Sequence, residues 1–126
     1  LKVVHSWEAN RKNVGETPAT EDQKRERPPV THPLIRTHPD TGTKALYIGT
    51  HIDKIVDMSR TDSDALVEEL MEHSIQPQFR YDHAWRQGDL VMWDNRSLMH
   101  RGNTNYDMAN ESRVLQRTVI IGTKPF

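Results

Sequence analysis

The sequence predicts a mainly β fold with flanking helices, of the jelly-roll or barrel-like kind. Three observations carry that expectation. Short runs rich in β-branched and aromatic residues recur between Gly, Pro and Asn/Asp turn signals. One stretch, residues 59–73, has the strongest helical periodicity. Strands and helices do not alternate as a βαβ sheet would require, so a sheet buttressed by a helix is the better fit.

The elements follow in order. Residues 1–11 fit an amphipathic helix, with Leu1, Val4, Trp7 and Ala9 apolar. Residues 15–27 are polar and charge-dense, contain Pro18, and open a helical turn near Thr20. Pro28 and Pro29 end it, because the residue before a proline is pushed out of the helical region. Residues 1–29 therefore read as a charged, lid-like or mobile segment, and composition supports a solvated linker equally. Residues 30–36 read as a strand, and Pro39-Asp40-Thr41-Gly42 as a turn leading into a second strand at 45–48. In the helix at 59–73, Thr61 or Asp62 can cap, and Leu66, Val67, Leu70 and Met71 form one apolar stripe. Pro77 stops it. Strands are then expected at 79–85, 90–93, 98–100 and 114–121, separated by Gly88-Asp89, Asp94-Asn95 and a loop at 102–112. Tyr47, Trp85 and Trp93 are expected in the core, as aromatic residues in strands usually are. The β-rich portion runs from 30 to 126, with no internal repeat and no low-complexity tract.

Composition narrows the function classes. The 126 residues amount to one domain at most. A hydrophobic fraction of 34% is low for a self-sufficient core of that length, and fits a piece of a larger domain. A mean hydropathy of −0.82 points the same way. A net charge of −1 gives no reason to expect nucleic acid or an anionic membrane as partner. The absence of cysteine excludes disulfides, thiolate metal sites and cysteine nucleophiles. No apolar run reaches the roughly 20 residues of a membrane span, and the opening residues do not form a signal peptide. A soluble cytoplasmic protein is the expectation.

The chemistry-bearing residues cluster late in the chain. His100 follows an apolar strand, and Arg113 and Arg117 lie on the strand beyond the next loop. Four positions apart on a strand, the two arginines project from one face. On residue type alone, a histidine at a strand end is more often an ordinary polar residue than a ligand, and two strand arginines are more often surface groups. Two pairs have the His-x-Asp spacing of a metal site, His38-Pro39-Asp40 and His51-Ile52-Asp53. The first lies in a turn that directs Asp40 to solvent. In the second the side chains share a face, which admits a small metalloprotein built on His51, Asp53 and His100. His5, His32, His73 and His83 have no partner pattern and are expected to be surface or structural.

Trp93-Asp94-Asn95-Arg96 followed by His100, with Arg113 and Arg117 beyond, resembles the TauD/TfdA family of Fe(II)- and 2-oxoglutarate-dependent dioxygenases. Arg36-Thr37-His38-Pro39 leading to Gly42 resembles a second segment of that family. The resemblance covers nearly the whole chain and is sharpest over 33–42 and 85–122. It implies a double-stranded β-helix (jelly roll, cupin-like), of which this chain is a C-terminal, incomplete part. It also implies that His100 is the distal iron ligand of a two-histidine, one-carboxylate site, and that Arg113 holds the far carboxylate of 2-oxoglutarate. Arginine suits that role because its planar fork bonds a carboxylate bidentately and stays charged.

By the same resemblance Arg117 contacts the substrate's anionic group, and His51 stands in the substrate-pocket wall, where it could supplement Arg117. His38 and Asp40 would be structural, and the family's own His-x-Asp motif would lie upstream of Leu1. The implied reaction is hydroxylation of a small organic anion by O2, with release of succinate and CO2. Sulfonates, sulfate esters and aryloxy or alkyl carboxylates are the implied substrate classes, taurine among them, and the full-length enzyme would be a homo-oligomer. A jelly-roll fragment that binds an anion through Arg113 and Arg117 without catalysis is the alternative.

Overall fold

The computed structural model describes residues 1–102, 107, 109–110 and 114–122. Its centre is a three-stranded antiparallel sheet in which β1 (Lys2–His5) lies between β2 (Val30–Pro33) and β5 (Ile52–Ile55). Register sets Val3 opposite His32 on one side and opposite Ile55 on the other, so these three side chains share a face. Val3 and Ile55 are fully buried. A register shift between Val4 and His5 interrupts the pairing with β5, which resumes with His5 opposite Ile52.

A hairpin of β3 (Ile35–Thr37) and β4 (Lys44–Leu46) continues from β2. Leu34 joins the two sheets, donating its N–H to the Leu1 carbonyl and accepting from Tyr47. The hairpin turn closes with Gly42 donating to the His38 carbonyl at 2.9 Å and His38 donating to that of Thr43 at 2.8 Å. Gly42 has φ +71°, a conformation that costs residues with a Cβ and costs glycine nothing sterically.

Among the described residues three α-helices flank the sheets. Ser6 caps α1 (Trp7–Asn13), and Thr20 caps α2 (Glu21–Glu26) through a reciprocal capping box with Gln23. Ser59 caps α3 (Arg60–Ser74). The stripe of Leu66, Val67, Leu70 and Met71 packs onto a core of Val3, Leu34, Ile48, Ile52 and Ile55, as the periodicity led us to expect. Ser63, also fully buried, accepts a 2.8 Å bond from the Ile55 N–H and fastens α3 to β5.

Three expectations need correction. Residues 1–11 are not one helix. Val3 and Val4, β-branched, belong to the central strand, and Ser6 starts a separate helix. The single strand expected at 30–36 divides at Leu34, and β5 was not anticipated. Finally, the described residues from 80 to 122 contain no strand. A strand needs a ladder partner for its backbone groups, and the described elements offer none there. Trp85 and Trp93 accordingly stand 40% and 37% exposed instead of in the core. Among the described residues no helix is long and apolar enough to cross a membrane.

Candidate functional site

Asp94 organises the segment that presents His100. Its carbonyl accepts the N–H groups of Ser97 and Leu98, both at 3.0 Å, and its carboxylate accepts the Arg96 N–H at 2.8 Å. This is the side-chain-to-backbone turn expected of Asp94-Asn95. The Trp93 indole N–H donates to Asn95 Oδ1 at 2.8 Å. His100 then lies exposed, its ring centre 4.6 Å from that of Trp93.

The Asp94 carboxylate has further partners. It accepts from the Arg96 guanidinium at 2.7–3.0 Å and from His38 Nε2 at 3.0 Å. His38 is 6% exposed. Its Nδ1 accepts the N–H groups of Asp40 and Thr41, each at 3.2 Å, so the ring proton resides on Nε2. Arg96 also donates to Asp40 Oδ2 at 2.8 Å. Arg96 first, then His38, hold the Asp94 carboxyl well below the ordinary carboxylate range, and Asp94 with Asp40 keeps Arg96 charged. His38 and Asp40 thus join a structural network, as the resemblance implies.

The remaining expected residues are dispersed. Arg113 lies outside the described residues. Arg117 is exposed. Asp53 is committed to an ion pair with Arg60 at 2.9 Å, and His51 lies against Trp7 with ring centres 6.3 Å apart. Among the described residues no three His, Asp or Glu side chains gather closely enough to hold a metal, so His51, Asp53 and His100 do not form a triad there. An iron site fits this chain through His100 alone: an exposed imidazole is a suitable donor, and the described residues do not supply the rest of the set.

A cleft lies on the sheet, and of its lining residues the sequence singles out only His51 for the substrate pocket. His5, Val30, His32, Tyr47, Ile48 and His51 line this cleft of about 310 Å³. The His5 ring stacks on Tyr47 at 4.8 Å and meets His32 edge-on at 5.5 Å. Burial, then the neighbouring His32 and His51, lower the His5 pKa from 6.5 to about 4, so its imidazole is neutral at physiological pH. A smaller adjoining cleft adds Arg27, whose guanidinium lies 4.5 Å above the Trp7 ring. Together these walls offer imidazoles, an aromatic face and a cation, a set suited to a small anion with an apolar body. The useful signal was weak. His5 alternates with buried Val3, and His32 becomes its neighbour only through strand pairing.

Comparison with known proteins gives a consistent picture. The family model for "Taurine catabolism dioxygenase TauD, TfdA family" matches residues 1–119. An alpha-ketoglutarate-dependent 2,4-dichlorophenoxyacetate dioxygenase of Burkholderia sp. (strain RASC) is 42% identical over 124 residues, covering 98% of this chain and 41% of that protein. An (S)-phenoxypropionate/alpha-ketoglutarate-dioxygenase of Sphingobium herbicidovorans is 38% identical over 95 residues, covering 75% and 32%. The crystal structure of AAD-2 in complex with Mn(II) and N-oxalylglycine superposes with a TM-score of 0.72 at 42% identity, covering 77% of this chain and 38% of that one. The chain spans about two-fifths or less of the length of each.

Proposed function

The chain belongs to the TauD/TfdA family of dioxygenases, and from that premise we propose that the protein carrying it is an Fe(II)- and 2-oxoglutarate-dependent dioxygenase that hydroxylates a small organic anion. Bound iron would supply the oxygen-activating chemistry. His100 would be one of its ligands, Arg113 would bind the far carboxylate of 2-oxoglutarate, and Arg117 with His51 would hold the substrate's anionic group. In the same reading the two small sheets belong to a double-stranded β-helix, and the enzyme is a soluble homo-oligomer.

The observation that carries the proposal is the turn at Trp93-Asp94-Asn95-Arg96, which ends in an exposed imidazole braced by an indole. The cleft supports the substrate class. Tyr47, Val30 and Ile48 suit an apolar or aryl body, and the neutral His5 imidazole can donate to an anionic end without the desolvation cost of a buried charge. Among the implied substrates an aryloxy carboxylate fits these walls best.

The test is 2-oxoglutarate-dependent succinate release by the natural full-length protein with aryloxy acids, sulfonates and sulfate esters. Arg113→Ala removes a charge-assisted bond worth about 1.5–3 kcal/mol, so the 2-oxoglutarate concentration for half-maximal rate should rise roughly 10- to 100-fold. An unchanged requirement would sink the Arg113 assignment. Anion binding without succinate release in the wild type would make the protein a non-catalytic module.

A further inference from the structure

We propose that His38, Asp94, Arg96 and Asp40 form a clamp that positions the His100 imidazole, an inference that rests on the reading of His100 as an iron ligand. The four residues close a ring of hydrogen bonds. His38 Nε2 donates to Asp94, Arg96 bridges Asp94 and Asp40, and the Asp40 N–H returns to His38 Nδ1. Two of these bonds each span 56 positions of sequence, and they tie the irregular segment carrying His100 to the β3–β4 hairpin. The hairpin in turn is fastened to the core through Leu34.

The geometry gives the clamp a direct route to His100. Asp94 fixes Leu98 through its carbonyl. Two further residues span at most about 7 Å, so the position of Leu98 limits that of His100. Asn95, in the same turn, orients the Trp93 indole, whose ring lies against the His100 ring. The position of the imidazole therefore descends from Asp94, and its ring orientation from Asn95 and Trp93 in the same turn. His38, nearly fully buried, holds Asp94 from the hairpin side. His38, Asp94 and Arg96 are positioning residues, not ligands.

The two nitrogens of His38 have separable tasks, which makes the proposal testable. Asn can imitate the Nδ1 acceptor that stabilises the hairpin turn, and Gln can imitate the Nε2 donor that reaches Asp94. In the natural full-length protein, Mn(II) affinity is measured by electron paramagnetic resonance of the free aquo ion, beside the urea unfolding midpoint. His38→Asn should keep the midpoint and weaken Mn(II) binding roughly 10- to 100-fold, the usual cost of losing a group that orients a ligand. His38→Gln should lower the midpoint and escape the roughly 10-fold or greater loss of affinity that follows when an orienting group is removed.

His100→Ala serves as the reference. Lost Mn(II) binding in His100→Ala beside unaltered binding in His38→Asn would overturn the clamp while leaving the ligand reading standing. Equal weakening in His38→Asn and His38→Gln, tracking stability, would also overturn the clamp. Unaltered binding in His100→Ala would overturn the ligand reading and the clamp together.

Discussion

His5 carries the cost of keeping an imidazole neutral in the cleft. Its ring stacks on Tyr47, and its Nε2 is buried without a hydrogen-bond partner. Desolvation, assisted by His32 and His51, lowers its pKa from 6.5 to about 4. The unfolded chain takes up this proton near pH 6.5, whereas the folded chain does so only near pH 4. Between those values the unfolded state binds more protons, so stability falls as pH drops through the window and levels off below it. Allowing for solvent screening of a half-buried ring, the effect is on the order of 2 kcal/mol. Urea midpoints at pH 7 and pH 5 should therefore differ by more in the wild type than in His5→Phe. Equal differences would show that His5 does not titrate as its surroundings dictate.

Between elements, the bond from the Ile55 N–H to Ser63 Oγ links the buried edge of β5 to the first turn of α3. Ser63→Ala leaves that N–H buried and unsatisfied, at a cost of about 1–3 kcal/mol. The urea midpoint should fall accordingly, and Ser63→Thr, which keeps the hydroxyl, should recover part of the loss if its methyl is accommodated. A midpoint unchanged in Ser63→Ala would mean that the bond is not made in solution. Sequence alone exposed α3 because its signals are local: the stripe of Leu66, Val67, Leu70 and Met71 needs only helical spacing. Even so, its cap is Ser59 and not Thr61 or Asp62. The strand β1 was hidden because Leu1, Val4 and Trp7 also fit a helical period. What decides its state is pairing with β2 and β5, about 30 and 50 residues away. The same division applies to the site. The turn before His100 was legible because four adjacent residues specify it. The His38–Asp94 bond and the grouping of His5 with His32 and His51 arise only from tertiary folding.

Over the whole molecule, apolar burial is lopsided. Among the described residues, the buried apolar side chains all lie between Val3 and Ile55. Leu90, Met92, Val114, Ile120 and Ile121, by contrast, are 83–96% exposed. Leu90 and Met92 have the alternating spacing of one strand face, as the expected strands require. Such a face is stable only when another sheet or strand covers it, and so much apolar surface is unusual on a soluble monomer. The chain covers 41% of the Burkholderia dioxygenase, and in the proposed β-helix the rest of the domain would provide the cover. The isolated chain should consequently enhance 8-anilinonaphthalene-1-sulfonate fluorescence and self-associate in sedimentation velocity. Replacing Leu90 and Ile120 by Lys should lessen both effects and leave the unfolding free energy within about 0.5 kcal/mol, because these side chains lie outside the core. A dye-silent, monodisperse wild-type chain would show instead that residues 80–122 find their own cover, and would count against the need for a completing sheet.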